Sequence, residues 1–203
     1  MRIERAIESI HALPAPGGWA RLENVFKAHG GLELYFTIHK EDRGRGKIGG
    51  WNITCQGVRE AQITDFDGGG LAVYGPTHPA ARQYLARRAE LRWLGDRDRP
   101  QLVGVLYQAH NDAVNDWIPF DRYVSIRTVS ADRCVLRGPH FLLRTYAGAL
   151  RSQGVESQLT LRTRVKAKAA TKLRVLHFGA SFVVAAGFQA ERRSSAFSTP
   201  VRS

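Results

Sequence analysis

Apolar and polar positions alternate most strictly over residues 32–39. Leu32, Leu34, Phe36 and Ile38 fall on one side, and Glu33, Tyr35, Thr37 and His39 on the other. A period of two predicts a strand with one face on a core and one in water. Shorter patterns predict further strands over residues 19–27, 51–55, 58–66 and 71–74. Gln56-Gly57 and Asp67-Gly68-Gly69-Gly70 mark tight turns, because glycine accepts positive φ without steric cost. Short connections then predict an antiparallel meander of about five strands between residues 19 and 74.

The period changes elsewhere. Ile3, Ala6, Ile7 and Ile10 follow helical spacing, which predicts an amphipathic helix over residues 2–12, ended by Pro14 and Pro16. Pro79 opens a short helix to about residue 88. Ala89, Leu91 and Trp93 alternate as a strand. An apolar stripe from Leu102 to Trp117 predicts the longest helix of the chain. Cys134, Val135 and Leu136 read as a strand, residues 138–152 as a helix stopped by Gly154, and residues 155–162 as a last strand. The expected fold class is α+β: the meander packed by about three or four helices, with two further strands complementing the sheet.

Charge divides the chain. The net charge is +12, of which residues 161–203 carry +8 and residues 1–160 only +4. The expected organisation is a single domain over residues 1–162 and a basic, poorly ordered tail over 163–203. Leu176–Ala190 is apolar, but at 15 residues it falls short of the roughly 20 that a membrane-spanning helix requires. The tail composition suits a basic arm for nucleic acid, a docking helix, or a segment under no folding selection. The first residues contain no apolar run long enough for a secretory signal, and the two cysteines form no CxxC pair. A cytoplasmic protein with reduced thiols, no transmembrane segment, no metal and no cofactor is the expectation.

Candidate chemistry is sparse. Gly44-Arg45-Gly46-Lys47-Ile48-Gly49 matches GxGxxG, but a strand and not a helix follows it, so no helix N-terminus faces a pyrophosphate. The same loop offers Arg43, Arg45 and Lys47 beside Trp51, a set suited to phosphates and a stacked base. Cys55 shares the apolar face of Trp51 and Ile53, which favours a buried thiol over a nucleophile. The weak catalytic candidates are His78, His110 and Asp112. On a helix, however, His110 and Asp112 point about 200° apart, so this pair is not a ready-made ligand set.

Three function classes follow in order. The first is a non-enzymatic binding or interaction module with a protein partner. The second is a nucleic-acid binder using residues 43–47 and the tail. The third is a hydrolase or transferase with a site near His78 and His110.

Overall fold

The computed structural model describes residues 2–11, 18–28, 31–40, 47–64, 70–94, 101–125, 133–162 and 172–193. It is mixed helix and strand, with antiparallel sheets and, among the described residues, four α-helices, as the hydrophobic pattern implies. The strand number is a correction: among the described residues eleven strands lie in three sheets, against the meander of about five. The chain divides into two compact units, one of residues 1–78 with 171–203 and one of residues 79–170.

The first unit opens with helix α1 (Ile3–His11), which buries Ile3 and Ala6. Strands β1 (Gly18–Ala28), β2 (Gly31–Lys40) and β3 (Lys47–Gln56) then pair consecutively and antiparallel. This is the meander expected from the alternation over residues 32–39. It stops there. β4 (Glu60–Gln62) and β5 (Leu71–Tyr74) leave it for the two edges of a second sheet. They are therefore not the hairpin that the Asp-Gly-Gly-Gly run suggests; residues 65–69 themselves lie outside the described residues.

The strands between β4 and β5 come from the segment that sequence assigns to the tail. β9 (Arg174–Phe178) and β10 (Ser181–Ala185) fill the second sheet in the order β4-β10-β9-β5. β11 (Gly187–Arg193) crosses to the first sheet and pairs with β3. The poorly ordered tail is thus corrected over residues 174–193. All five residues of β10 are buried, Ser181 included, and Phe182–Ala185 reads as an apolar run without a period of two. One core serves both sheets, built from Leu34, Phe36, Trp51, Ile53 and Cys55 on the first and Leu71, Leu176, Phe178 and Val183 on the second.

The second unit contains α2 (Pro79–Leu85), β6 (Arg88–Leu94), α3 (Gln101–Val114), β7 (Arg133–Pro139), α4 (His140–Ser152) and β8 (Ser157–Leu161). Two 3-10 turns, Asn115–Trp117 and Phe120–Arg122, follow α3. The sheet order is β7-β6-β8, and β6 pairs antiparallel with both neighbours. Ala89, Leu91 and Trp93 of β6, with Cys134 and Leu136 of β7, pack on one face against Leu102 and Leu106 of α3 and Leu142, Leu143, Tyr146 and Leu150 of α4. A sheet with helices on one face leaves its other face open, and the alternate residues of each strand must occupy it.

Candidate functional site

The open face of the β7-β6-β8 sheet is set by register. Arg88, Glu90, Arg92 and Leu94 are the alternate residues of β6. Glu90 lies opposite Arg137 on β7 and Thr160 on β8; Arg92 lies opposite Val135 and Gln158; Leu94 lies opposite Arg133. Arg162 follows β8, and its amide donates to the Arg88 carbonyl at 2.9 Å, which holds it beside the end of β6. The face therefore carries Arg88, Arg92, Arg133, Arg137 and Arg162, with Glu90 between three of them and Glu156 beside Arg92 and Arg133.

The Glu90 carboxylate organises three of the arginines. Arg137 Nε donates to Glu90 Oε2 at 3.0 Å and Arg162 Nη2 donates to the same oxygen at 2.8 Å. Arg92 donates to Oε1 through Nε and Nη2. Glu90 is buried under these side chains, whereas the guanidinium-bearing side chains of Arg92, Arg137 and Arg162 stay 51–65% exposed. The bond from Arg137, reinforced by Arg92, pulls the Glu90 carboxyl down to about 2. Glu90 is thus ionised at neutral pH and holds a fixed, solvent-facing cluster of cations.

The residues singled out from sequence are placed differently. His110 is buried inside the second unit. Its Nε2 lies 2.5 Å from the Ile118 carbonyl, an acceptor only, so Nε2 carries the proton and donates. Nδ1 then accepts from the Tyr146 hydroxyl at 2.7 Å. Burial holds the His110 pKa below its ordinary value, so the ring is a neutral core group with both nitrogens engaged. Asp112 faces away, as helical geometry requires, and accepts from Gln108 Nε2 at 2.9 Å on the exposed side.

His78 belongs to the first unit. It stacks on Tyr74 with ring centroids 4.7 Å apart, and Tyr74 also lies 6.2 Å from the His177 ring. Burial, and secondarily the neighbouring His177, lowers the His78 pKa; burial lowers that of His177 against a backbone hydrogen bond at Gly179. The two histidines flank Tyr74 as neutral rings. Among the described residues, no group of three or more His, Cys, Asp and Glu is placed to hold a metal.

Arg43 and Arg45 lie outside the described residues. Lys47 begins β3, and Trp51, only 5% exposed, packs in the first core, where its ring supports the sheet. Cys55 is buried on the same face, and burial pushes its thiol up to about 12, far from a thiolate nucleophile at neutral pH.

A polar cluster unread in the sequence occupies the outer face of the first sheet. A bulge between Leu22 and Asn24 aims Glu23 at Thr37, whose hydroxyl donates to Glu23 Oε1 at 2.6 Å. Having given its one proton, Thr37 accepts from His39 Nε2 at 2.9 Å. Thr37 is 2% exposed, so this hydroxyl is a sealed link in a clamp rather than a nucleophile.

Sequence reasoning also misses the arginine face, although half of its signal is visible. Arg88, Glu90 and Arg92 alternate with Ala89, Leu91 and Trp93 within one strand, as Arg133 and Arg137 alternate with Cys134 and Leu136. Only strand pairing reveals that the two sets share a face.

No protein-family model matches the chain, and searches of curated proteins and of solved structures found no match. No helix among the described residues is long and apolar enough to cross a membrane.

Proposed function

We propose that this chain is a non-enzymatic binding module whose ligand is nucleic acid, held by the open face of the β7-β6-β8 sheet. The observation that carries the reading is the set of five arginines on one sheet face: Arg92, Arg137 and Arg162 gathered on Glu90, with Arg88 and Arg133 toward opposite ends of the same strands. Arginine presents planar, forked donors that match phosphate oxygens two at a time. Holding three of them on one carboxylate lowers the entropy lost when they engage a ligand. Thr160 and Gln158 add neutral hydrogen-bonding groups on the same face.

A binding role rather than catalysis is supported by the state of the candidate nucleophiles and bases. The Cys55 thiol is sealed and its pKa raised, the Thr37 hydroxyl is committed to Glu23, and both His110 nitrogens are engaged. The 43–47 loop becomes a secondary contact in this reading, and the sheet face the principal one.

The test is fluorescence anisotropy of labelled oligonucleotides titrated with the full chain at several salt concentrations. Arg88→Ala combined with Arg133→Ala leaves the Glu90 cluster intact. It is expected to weaken binding and to reduce the salt slope by about 1.4–1.8 in log–log units, two phosphates at about 0.7–0.9 each. A wild-type chain that binds no oligonucleotide at low salt, or a double variant with unchanged slope, overturns the proposal. A triple reversal at Arg43, Arg45 and Lys47 measures the share of the loop.

A further inference from the structure

Strand β8 forms one outer edge of the β7-β6-β8 sheet, and no strand among the described residues pairs with its far side. The Arg162 amide, which donates to the Arg88 carbonyl at 2.9 Å, fixes which groups lie there. In an antiparallel ladder every second residue turns both its N–H and its C=O toward the same neighbour. Gln158, Thr160 and Arg162 therefore face β6, and Ser157, Leu159 and Leu161 turn their backbone groups outward. No residue of β8 is buried, and Leu161 is 48% exposed. Natural sheets guard such an edge with charge or proline. The opposite edge is guarded in this way. β7 carries Arg133, Arg137 and Pro139, and the missing proline N–H falls on the outward side, because the next amide, that of His140, donates inward to the Arg87 carbonyl at 2.7 Å. Ser157–Leu161 carries neither charge nor proline. An unguarded edge of this kind accepts another strand.

We infer that this edge pairs with β8 of a second copy of the chain, antiparallel about a two-fold axis through Leu159. The strand is complementary to itself in that register. Leu159 meets Leu159, and Ser157 meets Leu161 of the second copy. These are the outward-facing residues, so each of their N–H and C=O groups finds a partner across the axis. Gln158 meets Thr160 on the open face, a pair of neutral hydrogen-bonding groups. Glu156 meets Arg162 of the second copy at both ends of the pairing, so the charges that flank the strand oppose one another with the right sign. Arg162 gives Nη2 to Glu90, and its guanidinium has further donors to offer Glu156. A slip of one residue would set core-facing side chains against open-face ones, and a slip of two would part Glu156 from Arg162. A two-fold axis normal to the sheet keeps both open faces on one side, so the arginines of the two copies form one surface. The pairing is independent of what that surface binds.

Sedimentation equilibrium of the full chain, diluted from about 100 μM, should give twice the 22.6 kDa of one chain at the upper concentrations. Leu161→Pro removes an outward N–H and leaves the β6 ladder intact, a substitution that edge strands tolerate. Glu156→Arg sets like charges against Arg162 of the second copy and alters no strand residue. Each should raise the dissociation constant at least about tenfold. Should Leu161→Pro fail to fold, Glu156→Arg and a cysteine pair decide. Gln158→Cys and Thr160→Cys change exposed side chains. In the inferred pairing these two positions face each other where no backbone hydrogen bond intervenes, with Cα atoms about 4.5 Å apart, within reach of a disulfide. A mixture of the two variants should cross-link under mild oxidation, and either variant alone far less. Cys55 and Cys134 are buried and do not compete. A wild type that stays monomeric at the highest concentration overturns the inference and leaves the edge to a foreign strand or to water. A dimer that Glu156→Arg does not weaken, or a mixture that cross-links no better than its components, puts the interface elsewhere and overturns it as well.

Discussion

Glu90→Gln separates charge from shape on the arginine face. The substitution removes one negative charge and keeps nearly the same volume beneath Arg92, Arg137 and Arg162. In the wild type, the five arginines against Glu90 and against Glu156, which lies beside Arg92 and Arg133, leave three net positive charges. If each uncompensated charge takes one duplex phosphate, the log–log salt slope is about −2.7, and affinity falls about 40-fold between about 50 and 200 mM salt. In the Glu90→Gln variant the net rises to four, the slope steepens to about −3.6, and the same salt change costs about 150-fold. Binding at low salt therefore tightens although an ion-pair network has been broken.

Stability moves the other way. The folded pKa of Glu90, about 2, lies below its ordinary value of 4.5. A lowered carboxyl pKa stabilises the fold above pH 4.5, and that contribution is lost as pH falls from 4.5 toward 2. Urea melts of the wild type should therefore show a fall across this window that the Gln variant lacks in part, and the variant should be the less stable protein at neutral pH. Anisotropy titrations over the salt series provide the binding half of the test. A shallower salt slope for Glu90→Gln would refute the charge-counting argument, because it would mean that the arginines act only as a clamped array.

Three further outcomes test the fold around these sites. A Cβ on Gly31 would lie 1.8 Å from the Cys55 carbonyl oxygen, a backbone atom of the paired strand, so Gly31→Ala should cost at least about 2–3 kcal/mol in a thermal or urea melt. Tyr146→Phe removes the hydroxyl that His110 Nδ1 accepts from and leaves a buried acceptor unmatched, which should lower urea stability by about 1–3 kcal/mol. Burial lowers the pKa of His78, His110 and His177, so the unfolded chain takes up protons first as pH falls below 6.5. Stability should accordingly be full above that value and decline beneath it; a urea midpoint that stays constant from about pH 7 to about pH 5 would contradict the neutral, buried assignment.

Residues 174–193 pose a sharper question, because composition and structure disagree about them. Truncation after residue 162 removes β9, β10 and β11, which include both central strands of the second sheet and the partner of β3. Leu176, Phe178, Val183 and Phe188 leave the first core with them. The truncated chain should lose the circular-dichroism signal and cooperative melt of the first unit; an unchanged melt would mean that these strands contribute nothing.

What is legible in the sequence follows from how each strand meets water. Residues 32–39 alternate because β2 has one face in the core and one outside, and a period of two marks it. β10 does not alternate, because all five of its residues are buried; its neighbours in the sheet, β4 and β9, include a strand more than a hundred residues away in sequence. A local pattern carries no record of such a partner, so an apolar run amid basic, alanine-rich sequence looks like a tail. The same limit hides the arginine face. Its period is visible within β6 and within β7, yet Arg92, Arg137 and Arg162 meet on Glu90 only because strand pairing gathers residues from three strands onto one surface. His110 misleads in the opposite direction: a histidine beside two aspartates looks like chemistry in one dimension. In three dimensions, the helix turns it toward Tyr146 and the Ile118 carbonyl, and the acids toward water. The sites on this chain are properties of strand register, and charge that alternates with apolar residues along a strand is the part of that register a sequence can show.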